Sequence, residues 1–262
     1  MNASKTYSLC AGIACYNRER LYYKTLESLK ESALDAEILI FDDASSSIDH
    51  KITLKILPTA KVFVNKANSG RADFAMRILM SLYLEQTKAD YLLFLDSDLQ
   101  ISRSLGNELD SFLKDHRHAG VFSLFNTPSH AGVELDERWM LKKTVGAAGS
   151  VLARSLVEQI LAHVPPSTRF DWDWCEFIEK EGKQILCTRE SYVQHLGFTF
   201  GQNSRYRLGD YGLNFKDPTT AQLAMVLEQL HHSIHQLRDD SLRLQQTTIE
   251  VSERLSRQTT GR

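Results

Sequence analysis

Short apolar segments alternate with amphipathic segments along the first hundred residues, and this alternation most constrains how the chain can fold. The apolar segments are five to eight residues long: YSLCAGIA at 7–14, EILIF at 37–41, KVFVN at 61–65 and YLLFL at 91–95. Between them, 19–32 and 72–85 place apolar side chains three and four positions apart, as an amphipathic helix does. Continuous apolar strands that alternate with helices are typical of a mostly parallel sheet covered on both faces. The sequence therefore predicts an α/β fold.

Polar side chains follow each of these predicted strands. They are Tyr16, Asn17 and Arg18 after the first strand, Asp42 and Asp43 after the second, Asn68 and Arg71 after the third, and Asp96, Ser97 and Asp98 after the fourth. Because ligands of such sheets bind at the carboxyl ends of the strands, we expect these side chains to share one edge. A purely structural sheet has no need for the four carboxylates among them.

The Asp96-Ser97-Asp98 motif predicts a site for a divalent cation. Two carboxylates at this spacing can bind one cation together, or one can bind the cation while the other binds a sugar hydroxyl. Mg²⁺ and Mn²⁺ prefer oxygen ligands and often share them with substrate phosphates. An ordinary acidic turn is the alternative interpretation. The second acidic strand end, Asp42-Asp43, lies 53 residues earlier and favours the functional one.

Other acidic residues and one histidine also have two interpretations. Asp42-Asp43 can cap a turn, or accept hydrogen bonds from a base or a ribose. Asp171 and Asp173 open a predicted helix, whose dipole stabilises acids. Their aromatic neighbours would equally raise a carboxylate pKa and suit a general base. His195 follows a late predicted strand and would bind a metal only if that strand ends beside Asp98.

Basic residues are candidates for phosphate binding at two places. Arg71 follows the third strand and could neutralise phosphate charge. Residues 198–212 are rich in glycine, arginine and tyrosine. We predict that this segment is a lid over a diphosphate, with Arg205 or Arg207 reaching the phosphate. Plain solvated side chains are the alternative in both cases.

The ordered set of motifs resembles the nucleotide-sugar half of a GT-A glycosyltransferase and is most similar to the family 2 inverting enzymes. The matching segments are AGIACYNRERLYYKTLESL, EILIFDDASSS, NSGRAD, YLLFLDSDL, VGAAGSVLARS and RFDWDWCEFIEKEGKQI, within about residues 7–200. The resemblance implies a Rossmann-like GT-A fold. It also implies metal-dependent, inverting transfer of a sugar from a nucleotide diphosphate, UDP foremost, to a hydroxyl of a glycan or another acceptor, including a lipid-linked glycan.

The resemblance further implies roles for single residues. Expected on the donor are Tyr16 and Asp43 at the nucleobase, Asp42 and Arg71 elsewhere on the nucleotide, Asp96 at the ribose or sugar, and Asn17, Arg18, Asn68 and Ser97 beside them. Asp98 would hold the Mn²⁺ or Mg²⁺ that bridges the diphosphate, with His195 as a second ligand. Asp171 would be the general base that deprotonates the acceptor hydroxyl.

Three departures from the family pattern refine this interpretation. Ala14-Cys15 stands where Pro-Thr is common, which puts a hydroxyl contact to the base in doubt. Phe170 replaces the usual Glu before Asp171, which leaves Asp173 as a rival base. A QxxRW signature is absent after Asp173. We therefore expect the addition of one or a few sugars rather than processive synthesis.

The composition limits the setting in which the chain works. With 42% hydrophobic residues and a net charge of −2, neither a disordered chain nor a strongly basic nucleic-acid binder is expected. The four cysteines lack metal-site spacing, which suits reduced thiols. No apolar run is long enough to span a membrane. We expect a cytoplasmic protein, in peripheral contact with the inner face of the membrane if its acceptor is lipid-linked.

The last 45 residues differ from the rest of the chain. No aromatic residue follows Phe215, no proline follows Pro218, and apolar residues occupy eight of ten heptad positions over 223–255. This pattern predicts a coiled coil, with polar Ser241 and Thr248 in its seam. We predict a glycosyltransferase domain at 1–217 and a C-terminal helix at 218–262 that forms a homo-oligomer. Packing of the helix back onto the domain is the alternative.

Two other functions stay open on sequence alone. A nucleotidyltransferase uses a similar sheet and acidic metal site, but it usually has a glycine-rich phosphate loop where this chain has YNRER. A catalytically inactive scaffold of the same fold could use its coiled coil to assemble partners.

Overall fold

A computed structural model describes residues 7–196, 211–217 and 220–260. The chain divides into two compact units, Met1–Asp217 and Pro218–Arg262. The elements of the first unit are β1 (Leu9–Cys15), α1 (Glu19–Glu31), β2 (Glu37–Asp42), α2 (His50–Ile56), β3 (Lys61–Val64), α3 (Ala72–Gln86), β4 (Tyr91–Asp96), β5 (Leu99–Ile101), α4 (Leu105–Leu113), a 3₁₀ helix (His116–His118), β6 (Val121–Ser123), β7 (Gly132–Glu134), β8 (Trp139–Lys142), β9 (Ser150–Ala153), α5 (Arg154–His163), α6 (Phe170–Lys180), β10 (Ile185–Thr188) and β11 (Val193–His195).

A mixed sheet organises the first unit. Among the described residues it has nine strands in the order β3-β2-β1-β4-β9-β6-β10-β8-β7. The four strands predicted from the apolar segments, β1 to β4, pair in parallel. Strand β9 runs antiparallel between β4 and β6. The α/β fold class predicted from the sequence is confirmed.

Two apolar layers cover the two faces of this sheet. Alternate residues of β1 and β4 point to opposite layers, which explains why their sequences are apolar throughout. Helix α1 covers one face with Tyr22 and Leu26, and helix α3 covers the other with Leu79 and Tyr83. Gly12 lies where α3 crosses β1 closely, because a Cβ there would be 3.3 Å from Leu79 Cδ2 of α3 and 3.0 Å from Leu92 Cδ1 of the neighbouring strand β4. The four cysteines are buried free thiols.

The apolar, glycine-rich segment 144–153 suggests one strand, but its first six residues do not form one. Only Ser150–Ala153 forms a strand, β9. Gly149 adopts a positive φ of 72°, and its N–H donates to the Phe94 carbonyl at 2.8 Å. A Cβ on Gly149 would lie 2.7 Å from Val193 Cγ2. The glycines therefore build a turn that lets strand β11 approach closely.

A second, two-stranded sheet lies at the end of β4. Strand β5 pairs antiparallel with β11, so that His195 lies opposite Leu99. Helix α1 supports this sheet from one side, since Thr25 Oγ1 accepts the Leu99 N–H at 2.9 Å and Ser28 Oγ accepts the Ile101 N–H at 3.1 Å. Strand β5 was not predicted from the sequence, because its three residues, LQI, are few and include a polar one in the middle.

The second unit contains one helix, α7 (Thr220–Thr260), of 41 residues. Its described side chains are mostly exposed. In the portion of the chain that the structure describes, no helix combines the length and the apolar character that crossing a membrane requires.

Candidate active site

Asp96, Asp98 and His195 meet at the carboxyl end of β4. One possible ligand atom from each residue lies within 4.8 Å of the other two. His195 Nε2 is 3.8 Å from Asp96 Oδ2, and His195 Nδ1 is 3.6 Å from Asp98 Oδ1. The pairing of β5 with β11 causes this meeting, and the Leu196 N–H donates to the Asp98 carbonyl at 2.7 Å. The structure thus meets the condition that sequence analysis set for His195.

The donor set of this cluster fits a divalent cation. Two carboxylates and one imidazole offer hard oxygen ligands and one nitrogen, and three protein ligands leave positions for phosphate oxygens. Carboxylates suit both Mg²⁺ and Mn²⁺, whereas imidazole suits transition ions. Of the two predicted ions, Mn²⁺ therefore matches the set better.

Arg18 is the second partner of Asp98. Its Nη1 donates to Asp98 Oδ2 at 2.8 Å, while Asp98 Oδ1 faces His195. The Asp98 side chain is 8% exposed. Burial acts to raise the pKa of Asp98, but hydrogen bonds and positive charge from His195 and Arg18 hold that pKa below its ordinary value. Asp98 is therefore an ionised carboxylate at neutral pH.

Strained backbone follows strand β1. Asn17 and Arg18 have φ angles of 53° and 56°, in the left-handed region that few non-glycine residues adopt. The Asn17 N–H donates to Ser45 Oγ at 2.7 Å, and Asn17 Oδ1 accepts the Ser46 N–H at 3.0 Å. These bonds join the loop after β1 to the loop after β2. Strain of this kind concentrates at functional sites. Tyr16, just before, is half-buried.

Asp42 is buried and has partners on both carboxylate oxygens. Oδ1 accepts the Ser45 N–H at 2.8 Å, and Oδ2 lies 2.7 Å from His50 Nε2. His50 is the first residue of helix α2. No sequence pattern marks His50. Its contact with Asp42, eight positions earlier, depends on the conformation of the connection between them, and a loop conformation leaves no periodic pattern in the sequence. The role of Asp42 on a nucleotide stays a prediction.

Asp43 holds the loop after β3 in place. Its carboxylate accepts hydrogen bonds from Asn65 Nδ2 at 3.0 Å, Asn68 Nδ2 at 3.0 Å, and Ser69 Oγ at 2.6 Å. The Ser69 N–H also donates to it at 3.0 Å. A buried carboxylate with this many donors orders the chain around it. Contact between Asp43 or Asn68 and a nucleobase stays a prediction.

Arg71 is engaged with its own helix. Its Nε and Nη2 donate to the two oxygens of Asp73 at 2.8 and 2.7 Å, and its guanidinium carbon lies 4.7 Å from the Phe74 ring centre. Asp73 is 2% exposed. This paired geometry fixes the guanidinium beside the start of α3. Phosphate binding by Arg71 stays a prediction.

Asp171 and Asp173 lie in the first turn of helix α6, and both are half-buried. Asp171 Oδ1 lies 3.0 Å from the Trp172 N–H, which donates to it. Helix α6 packs on β4 through Trp174, whose ring centre is 5.5 Å from that of Phe94. Phe94 comes two residues before Asp96, so the helix that carries the candidate bases lies against the strand that leads to the cluster.

Part of the predicted site is not described by the structure. Arg205 and Arg207 lie outside the described residues, and so does nearly all of the predicted lid at 198–212. Ser97, which lies between Asp96 and Asp98 in the sequence, is buried.

A family comparison identifies the chain. The model of "Glycosyl transferase family 2" matches residues 10–153, which is more than half of the chain. The chain belongs to glycosyl transferase family 2. The matched residues include the loops after β1 to β4, with Arg18, Asp43 and Asp98. The family and the enzyme class predicted from the sequence are confirmed.

Solved structures of glycosyltransferases share the fold of this family 2 chain. Residues 1–349 of S. aureus TarS match with a TM-score of 0.53 and 18% identity, covering 71% of this chain and 59% of that chain. The same TarS fragment in complex with UDP-GlcNAc matches with a TM-score of 0.50, 18% identity, and coverages of 71% and 57%.

A third similar structure is the mannosyltransferase PcManGT from Pyrobaculum calidifontis in complex with GDP-Man and Mn²⁺. It matches with a TM-score of 0.50 and 16% identity, covering 70% of this chain and 57% of that chain. The chain thus spans less than three fifths of the length of these solved chains. Among curated proteins, no sequence relative is found.

Proposed function

We propose that this family 2 chain is a metal-dependent, inverting and non-processive glycosyltransferase. Its donor is a nucleotide-diphosphate sugar, with UDP as the first candidate nucleotide, and its acceptor is a hydroxyl of a glycan or lipid-linked glycan. The observation that carries the proposal is the meeting of Asp96, Asp98 and His195 within 4.8 Å at the end of β4. The TarS fragment in complex with UDP-GlcNAc and PcManGT in complex with GDP-Man and Mn²⁺ support the donor class and the cation.

The residues at the ends of β1, β2 and β4 would bind the donor and its cation. The buried carboxylate of Asp98 is ionised, and Asp96 and His195 lie beside it as further candidate ligands of a cation. When bound there, Mn²⁺ or Mg²⁺ supplies positive charge that stabilises the departing diphosphate. The loop that Asp43 orders, and the loop that carries Tyr16, form the edge at which the nucleotide would bind.

Helix α6 carries the residue that acts on the acceptor. Asp171 takes the proton of the acceptor hydroxyl as its oxygen forms a bond to the anomeric carbon. The bond from that carbon to the phosphate oxygen breaks at the same time, and its electron pair leaves with the diphosphate. Attack from the face opposite the leaving group inverts the anomeric centre.

Metal-dependent nucleotide binding tests the proposal. We expect UDP or another nucleoside diphosphate to raise the melting temperature when Mn²⁺ is present, because the two ligands share one site. Excess EDTA should remove the shift, and Mg²⁺ should restore it in part. If no nucleoside diphosphate stabilises the chain with either ion, the proposal fails and the inactive-scaffold interpretation gains support.

We also propose that α7 pairs with the α7 of a second copy of the chain. Six apolar residues with described side chains are 44–68% exposed and lie on the predicted seam, which advances in steps of three and four and also includes Ser241 and Thr248: Leu227, Leu230, Ile234, Leu237, Leu244 and Val251. Such a seam packs knobs-into-holes against another helix of the same period, which a second copy supplies. At 1.5 Å per residue the helix is about 60 Å long, enough for several heptads.

A charged residue in this seam should weaken the self-association. Leu237→Glu places a carboxylate in the predicted interface, so light scattering should give a lower mass than for the wild-type chain. Leu242→Glu is a matched control, because Leu242 is 49% exposed but lies next to the seam and outside it. A chain that ends at Asp217 should also form an assembly with fewer copies than the wild-type chain. A monomeric wild-type chain, or equal loss of mass in the two glutamate variants, would contradict the heptad assignment.

A further inference from the structure

Arg18 occupies the same buried carboxylate that is the central candidate ligand for the cation. Its Nη1 donates to Asp98 Oδ2 at 2.8 Å, and its side chain is 30% exposed. Within the described residues, Arg18 Nε is buried and has no hydrogen-bond partner. A guanidinium satisfied on one side only is poorly placed, since an unpaired buried donor carries a desolvation cost. Arg18 therefore lacks at least one acceptor in this arrangement.

The backbone of Arg18 is held by hydrogen bonds, whereas its side chain is partly exposed. Its carbonyl accepts the Leu21 and Tyr22 N–H groups at 3.0 Å, and its φ of 56° places it in the left-handed region at the start of α1. Asn17, just before it, is tied to the loop after β2. The base of the side chain is thus held at the strand end, and the remaining freedom is in its rotamers.

A bound cation and the Arg18 guanidinium would compete for the Asp98 carboxylate. A cation bound to Asp98 and the Arg18 guanidinium both require that carboxylate, and two cations on one carboxylate repel each other. A diphosphate offers the planar pair of acceptor oxygens that a guanidinium prefers, including one for the Nε–H that now has none. The cation would then replace Arg18 on Asp98, and the diphosphate would receive it.

We propose that Arg18 is a positioning residue that couples the binding of the cation to the binding of the donor diphosphate. It neutralises Asp98 in the ligand-free chain and transfers to the diphosphate when the cation binds. The cation alone binds weakly because it must displace Arg18, and the diphosphate restores its affinity. This inference rests on the proposed function and adds a residue that senses both ligands.

Titration with Mn²⁺, followed by the electron paramagnetic resonance signal of the free ion, tests the coupling. In the wild-type chain UDP should tighten Mn²⁺ binding by about tenfold, a usual size for coupling between two sites. Arg18→Met should bind Mn²⁺ alone more tightly than the wild-type chain, by a comparable factor. In the same variant UDP should tighten Mn²⁺ binding much less. This opposite movement of the two affinities is not expected from a residue with a structural role only.

Arg20→Met is the matched control. It removes the same charge two positions later, at an exposed side chain of helix α1, and should leave both Mn²⁺ affinities at their wild-type values. Circular dichroism checks that each variant is folded, and Arg18→Gln repeats the test with a neutral polar side chain if Arg18→Met does not fold.

The outcomes separate this inference from the proposed function. If the wild-type chain binds Mn²⁺ and UDP, but the neutral Arg18 variants bind Mn²⁺ alone as weakly as the wild-type chain or more weakly, the coupling role is wrong and the proposed function stands. If the wild-type chain binds neither Mn²⁺ nor UDP, the proposed function fails and the coupling role fails with it.

Discussion

Asp98→Asn should abolish Mn²⁺-dependent binding of UDP and lower turnover by about 10²- to 10³-fold, the scale seen when one group that stabilises transition-state charge is removed. Asp98 is the residue that joins the site together, with Arg18 on one oxygen and His195 facing the other. A neutral amide is a poor ligand for a hard cation, and it also leaves the Arg18 charge without its partner. The substitution changes one group of the side chain and hardly its shape.

The measurement for Asp98→Asn combines thermal shift and donor hydrolysis. Melting temperature is followed with UDP in the presence and absence of Mn²⁺, and turnover is the release of nucleoside diphosphate from a nucleotide sugar with water as acceptor. Asp110→Asn, at an exposed position on α4, is the control and should behave as the wild-type chain. A folded Asp98→Asn variant that keeps a Mn²⁺-dependent shift would exclude Asp98 as a metal ligand.

Asp171→Asn should separate binding from chemistry. We expect turnover to fall by about 10²- to 10⁴-fold, the usual contribution of a general base, while the Mn²⁺-dependent UDP shift keeps its wild-type size. The reason is position: Asp171 lies on α6, whose Trp174 packs on Phe94 of β4, and it is not part of the metal cluster. The donor can therefore bind without it.

Asp173→Asn decides between the two candidate bases. Both aspartates lie in the first turn of α6 and are half-buried, so they form a matched pair. We expect Asp173→Asn to lower turnover by less than tenfold. If Asp173→Asn causes the large loss and Asp171→Asn does not, the base is Asp173, and the residue-by-residue carry-over from the family pattern is wrong at this point.

The parallel half of the fold could be predicted because its physical cause is local. Strands buried on both faces must be apolar at every position, which makes EILIF and YLLFL visible as strands without any partner. The residues that follow them could be assigned to one edge because parallel strands align their carboxyl ends. The strands β5, β7 and β8 were missed, since each has only three or four residues and their sequences, LQI, GVE and WMLK, mix apolar and polar side chains.

The contacts within the site could not be predicted from sequence. The meeting of His195 with Asp98 depends on pairing between β5 and β11, which are almost a hundred residues apart. The pairs formed by Arg18 with Asp98 and by His50 with Asp42 depend on loop conformations, including two residues with positive φ. None of these leaves a spacing pattern in one sequence. The acids could be placed at the strand ends from the sequence, but their hydrogen-bond partners could not be found from it.

The most direct test of the central claim is pulsed electron paramagnetic resonance of Mn²⁺ bound to the chain together with UDP. If Asp96, Asp98 and His195 hold a cation that bridges the diphosphate, the Mn²⁺ spectrum should contain a coupling to an imidazole nitrogen and a coupling to phosphorus. The nitrogen coupling should disappear in His195→Gln. Bound Mn²⁺ that lacks the phosphorus coupling, or that keeps its nitrogen coupling in His195→Gln, would contradict a metal-dependent donor site at the end of β4.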